Sequence, residues 1–157
     1  MRRLVLSTLV ILATLVPSAA QAAPTYVIRH LERAPGDDPP LTERGAARAE
    51  QLADVLAGAN IRAVFATATK RAQETGAPLA KRLGLAVTTY NPRDVEALVA
   101  AVEAAGGPVL VVGHSNTVAA LVARFGGDKP AELSEGDYGT LFIVHDGTSE
   151  VHRIDLN

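Results

Sequence analysis

The chain of 157 residues has no cysteine and no tryptophan, and aromatic residues make up only 4% of it. Without cysteine no disulfide framework can form, so an oxidising compartment can neither staple nor damage the protein. Few aromatics and a formal net charge of −2 leave no basic stripe interleaved with stacking residues, which excludes nucleic acid as a partner. A small anionic ligand stays open. There is no internal repeat and no low-complexity tract. No glycine-rich loop follows a strand, since Gly106-Gly107 precedes one, and the four histidines show no His-x-x-x-His spacing. Neither a phosphate-cradling loop nor a four-histidine metal site is therefore read. Nor does any apolar run reach the ~20 residues of a membrane-spanning helix.

The first 22 residues differ in kind from the rest. Arg2 and Arg3 form a positive start, Leu4 to Val16 an apolar stretch, and Ala20-Gln21-Ala22 a small-residue cleavage site. That order is the pattern of a secretory signal peptide. The expectation is a signal peptide over 1–22, an exported product in the periplasm or outside the cell, and one domain over 23–157 with no membrane attachment after cleavage. A retained anchor is the alternative reading.

Within 23–157, hydrophobicity at 48% and charge at 20% over the whole chain suit one globular domain with a sizeable core. Strand and helix signals alternate. Short apolar or β-branched runs at Thr25–Ile28, Ala63–Ala66, Leu85–Tyr90 and Val109–Val112 read as strands. Helices are expected over Ala46–Leu56, Lys70–Leu83, Asp94–Ala105 and Thr117–Phe125. Thr42 is placed as an N-cap, Gly58, Gly84 and Gly106-Gly107 as stops, and Leu52, Val55 and Leu56 on one apolar face. Asp146-Gly147 between Thr140–His145 and Glu150–Leu156 is a hairpin signal. The expected architecture is a three-layer α/β/α sandwich with a mainly parallel sheet and a C-terminal hairpin. The loop Pro35 to Pro40 cannot be regular and is read as a rim over the ligand crevice.

Chemistry concentrates at two strand ends. Arg29-His30 follows the first apolar run and Gly113-His114 follows another. Ligands of open α/β sheets bind outside the carboxyl ends of the strands, so parallel neighbours would bring both imidazoles and Arg29 to one crevice. Guanidinium groups grip phosphoryl oxygens bidentately, and Arg71, in the first turn of a helix, adds a second such group beside N-terminal backbone donors. His145 and His152, on the expected hairpin, are read as surface or packing residues.

Arg29-His30-Leu31-Glu32-Arg33, then Thr67 to Thr75, then Gly113-His114-Ser115-Asn116-Thr117 resemble, in order and spacing, the three signature blocks of the histidine phosphatase superfamily, the phosphoglycerate mutase-like proteins. The resemblance runs from about Tyr26 to Phe125. It implies that His30 is a nucleophile forming a phosphohistidine, that Arg29, Arg71 and His114 hold the phosphoryl oxygens, and that no metal or other cofactor is needed. It also implies a small phosphorylated substrate and hydrolysis of phosphomonoesters. A weakly catalytic anion-binding module of the same fold, and a mutase-type phosphotransferase, are the alternatives. Two departures stand out: Leu31 replaces the usual glycine after the nucleophile, and Ser115 stands where one branch has aspartate. No motif marks the general acid. Glu32 is its first candidate, with Asp94 and Glu96 next.

Overall fold

Side chains in each inner strand alternate between two apolar faces, and this alternation builds the molecule. In the computed structural model, residues 23–145 and 147–155 are described. Ten elements follow in chain order: β1 (Thr25–Arg29), α1 (Glu43–Leu56), β2 (Ala63–Ala66), α2 (Lys70–Leu83), β3 (Val87–Thr89), α3 (Val95–Ala104), β4 (Val109–Gly113), α4 (Val118–Arg124), β5 (Thr140–His145) and β6 (Thr148–Arg153). The strands form one sheet in the order β3-β2-β4-β1-β5-β6. The pairs β3–β2, β2–β4 and β4–β1 are parallel, whereas β5 runs antiparallel to β1 and to β6.

Ile28, Val64, Ala66, Leu110, Val112 and Leu141 point to one side of the sheet, where α1 and α2 cover them with Leu52, Leu56, Leu79 and Ala80. Their sequence neighbours Val27, Phe65, Val109, Val111, Phe142 and Val144 point to the other side, under Leu98 of α3 and Val118, Leu121 and Val122 of α4. Burial on both faces is what makes these strands read as continuous apolar runs. The result is the expected three-layer α/β/α sandwich with a terminal hairpin.

Several boundaries differ from expectation. The start of helix α1 at Glu43 agrees with Thr42 as its N-cap, whose side chain accepts from the Gly45 N–H and caps the first turn. Its end is not set by Gly58: Ala57 closes it in a right-handed conformation, and the left-handed residue is Asn60, with φ 54°. Val55 is 47% exposed, against the expectation of a shared face with Leu52 and Leu56. At about 100° per residue it lies roughly 90° from the centre of the buried stripe Gly45, Ala49, Leu52, Ala53, Leu56. Gly84 does terminate α2 in the left-handed region, at φ 68°, and Gly106 after α3 has φ 62°. Strand β6 starts at Thr148 instead of Glu150, since its partner β5 continues to His145 and the pairing His145–Thr148 closes the ladder. Asp146, Leu156 and the proposed signal segment 1–22 lie outside the described residues. No helix among the described residues is long and apolar enough to cross a membrane.

The parallel register of β1 and β4 positions the site. Arg29 pairs with Gly113, and the His30 N–H donates to the Gly113 carbonyl at 2.9 Å. His30 and His114 therefore leave the sheet side by side.

Candidate active site

A cavity of about 490 Å³ opens beyond the carboxyl ends of β1 and β4. Arg29, His30, Arg71 and His114 all line it, together with Arg33. The two imidazole rings meet edge to face with centroids 5.3 Å apart. Burial lowers the His30 pKa to about 4; the Leu31 carbonyl opposes it as the next largest effect, and the charges of His114, Arg29 and Arg71 push the same way as burial. His114 is lowered too, first by burial and then by Arg71 and Arg29. Both rings are thus neutral near pH 7. His30 Nδ1 lies 2.9 Å from the Leu31 carbonyl, which can only accept, so the proton sits on Nδ1 and the Nε2 lone pair is free. A neutral imidazole with a free lone pair, inside a ring of arginines, is equipped to attack an anion's electrophilic centre.

Each of these groups is held by a residue that the sequence did not single out. Thr67, buried after β2, contacts His114 Nε2 at 2.8 Å through its hydroxyl. Thr75 of α2 accepts from the Leu31 N–H at 3.0 Å and donates to the Arg71 carbonyl at 2.7 Å, tying the strand end that carries His30 to the helix that carries Arg71. Arg29, 2% exposed, donates from Nη1 to the carbonyls of Ser134, Glu135 and Asp137 at 2.7, 3.1 and 3.2 Å. Its guanidinium carbon also sits 4.2 Å from the centroid of the Tyr138 ring. The loop between α4 and β5 is thereby wrapped around one arginine. The Nε atoms of Arg29 and Arg71 are buried without a partner, a state that costs free energy until an acceptor arrives.

The irregular loop 35–40 reaches the edge of the site through one side chain. Loop 35–40 is closed at its base by the Ala34 N–H donating to the Pro40 carbonyl at 3.0 Å. It sends Asp38 to the start of α2, where Oδ1 accepts from the Lys70 N–H at 3.0 Å and lies 3.7 Å from Arg71 Nη1. One N-terminal donor of α2 is thus already engaged by the protein's own carboxylate.

None of the three acid candidates lines the cavity. Glu32 turns back to α1, 2.5 Å from Arg48 and 3.2 Å from Arg44. Asp94 caps α3 by accepting from the Ala97 N–H at 3.1 Å. Glu96 is fork-bonded by Arg124 at 3.1 and 2.6 Å, which lowers its pKa, and it lines a separate cleft of about 290 Å³ between α3 and α4. The carboxylate that does line the cavity is Glu135, on a loop more than a hundred residues from His30, and only tertiary folding reveals it. His145 pairs with Glu150 on the hairpin at 3.5 Å, and His152 is exposed. Among the described residues no three His, Cys, Asp or Glu side chains cluster so as to hold a metal ion.

Residues 26–93 match the histidine phosphatase superfamily, branch 1. Over that segment the chain resembles the superfamily. The matched segment includes His30 and Arg71, while His114 and Glu135 of this histidine phosphatase relative lie beyond it. Two solved structures share its fold. The protein histidine phosphatase SixA complexed with tungstate has a TM-score of 0.63 at 22% identity, covering 82% of this chain and 94% of that one. The mycobacterial glucosyl-3-phosphoglycerate phosphatase Rv2419c with inorganic phosphate has a TM-score of 0.62 at 18% identity, covering 83% and 96%. The uncharacterized protein Rv0525 of Mycobacterium tuberculosis is 45% identical over 74 residues, 41% of this chain and 36% of that protein. The chain thus spans about a third of the length of the curated relatives it matches.

Proposed function

We propose that this protein is a phosphatase that hydrolyses small phosphomonoesters through a phosphohistidine on His30. The observation that carries the reading is the neutral His30 imidazole, its Nε2 lone pair free, in a cavity that Arg29, Arg33 and Arg71 also line. The phosphoryl oxygens take the unpartnered Nε donors of Arg29 and Arg71, with His114 beside them. In the first step His30 Nε2 bonds to phosphorus, the bond from phosphorus to the ester oxygen breaks, and the alcohol leaves with one proton. In the second, water bonds to phosphorus, the N–P bond breaks, and inorganic phosphate leaves. Cationic donors aimed at the equatorial oxygens stabilise the charge that develops in both steps. Three arginines supply that positive charge from side chains, so the mechanism is written without a metal.

That two proteins of this fold hold tungstate and inorganic phosphate supports the choice of ligand class. The second reading, an anion-binding module of low turnover, is favoured by one observation, the commitment of Glu32, Asp94 and Glu96 to ion pairs or a cap away from the cavity. Rapid quenching with radiolabelled phosphomonoester separates the two. Wild type should show acid-labile label on His30, His30→Ala none, and a chelator should not slow turnover. Full activity in His30→Ala, or strict dependence on a divalent ion, defeats the mechanism. Residues 1–22 we propose as a cleaved leader for export.

A further inference from the structure

One carboxylate lines the cavity, and it belongs to Glu135 in the loop between α4 and β5. The backbone there is firmly held: Arg29 Nη1 binds the carbonyls of Ser134, Glu135 and Asp137, and the Ser134 N–H donates to Asp137 Oδ2 at 2.7 Å. The carboxylate itself is loosely held. Its side chain is 80% exposed, with Arg29 Nη2 at 3.5 Å and the Ser115 hydroxyl donating at 3.5 Å. A fixed backbone with a side chain free to swing places a titratable group at the mouth of the cavity without locking it there.

We propose that Glu135 is the acid and base of the reaction, an assignment that rests on the phosphohistidine reading above. In the first step the protonated carboxyl gives its proton to the ester oxygen as the bond to phosphorus breaks. The neutral alcohol leaves, Glu135 becomes a carboxylate, and His30 carries the phosphoryl group. In the second step the carboxylate takes one proton from water as the oxygen bonds to phosphorus, so hydrogen phosphate and neutral His30 are released and Glu135 is again protonated. Atoms and charge balance across both steps. The proton held by Glu135 at the start comes from solvent or from a monoanionic substrate. One carboxylate serves both halves, since the leaving oxygen and the incoming water each lie in line with His30 Nε2 on the same side of phosphorus.

The test compares wild type with Glu135→Gln, which removes the proton but not the shape, on an alkyl phosphate and on 4-nitrophenyl phosphate. Because the side chain is exposed, the variant keeps its fold. Alkyl phosphate turnover should fall about 10²-fold or more, the scale of a lost general acid. With 4-nitrophenyl phosphate, whose phenolate leaves unaided, the variant should release a burst of one nitrophenolate per enzyme at near wild-type rate. A slow steady state should follow, with label accumulating on His30 because water is no longer deprotonated. Glu135→Asp should recover part of the alkyl rate. Equal losses in the rate of the first, phosphorylating step on the two substrates, or wild-type steady-state rates on both, overturn the assignment while leaving the phosphohistidine in place. No acid-labile label in wild type overturns that reading and this assignment with it.

Discussion

The nucleophilic role proposed for His30 requires an unprotonated ring, and His30 is buried among Arg29, Arg71 and His114, where protonation is costly. Its pKa of about 4 means that lowering the pH from 7 to 5 leaves the lone pair free. The acid limb of kcat/KM due to the nucleophile should therefore fall near pH 4, not near the ~6.5 of an ordinary histidine. An NMR titration of the His30 ring carbon-bound proton checks this directly, and a midpoint near 6.5 refutes it. Stability follows with a definite sign. Between about 4 and about 6.5 the unfolded chain binds a proton at this position and the folded one does not, so the free energy of unfolding drops as the pH falls through that window. His114, also lowered by burial, adds a contribution of the same sign. Thermal melts at pH 7 and pH 5 should show the loss, and His30→Gln should reduce it.

Helix α1 shows how closely elements must approach to hold the site. A Cβ on Gly45 would lie 2.2 Å from the Glu32 carbonyl oxygen, the same oxygen that accepts from the Thr42 N–H at 2.8 Å. The first turn of α1 is thus pressed against the segment that follows His30, and only a hydrogen fits between them. Gly45→Ala should destabilise by about 2 kcal/mol or more, the scale of forced overpacking, and lower Tm by roughly 5 °C. Gly58→Ala, with no atom within 4 Å of the new Cβ, is the control and should be near neutral in the same melts. The contrast also marks what was legible beforehand. Strands, helices and the meeting of His30, Arg71 and His114 followed from periodicity and from the strand-end rule, because those signals are local or repeat along the chain. Gly58 looked like the helix stop and Gly45 carried no signal at all, since the meaning of a glycine depends on what packs against it. Glu135, Thr67 and Thr75 were hidden for the same reason. Glu32 sat beside the nucleophile in sequence, yet Arg44 and Arg48 of α1 draw its carboxylate to the opposite side.

At the scale of the whole molecule, the proposed leader and the absence of cysteine bear on one question, where the protein works. Mass spectrometry of the protein from its native host should find a chain beginning at Ala23 outside the cytoplasm, and a full-length cytoplasmic product would overturn the export proposal. With no cysteine, its melting temperature should not respond to reductant in either compartment. The position of β1 carries a further consequence. This strand lies between β4, at 109–113, and β5, at 140–145, so the segment synthesised first among the strands waits for the last third of the chain before either edge is covered. A chain emerging from a ribosome N-terminus first cannot close the centre of its sheet early, because each pairing requires a loop of some eighty residues or more to be drawn shut. Until residues 109–113 and 140–145 are available the centre of the sheet stays open, a delay in closure that would suit the export proposed above.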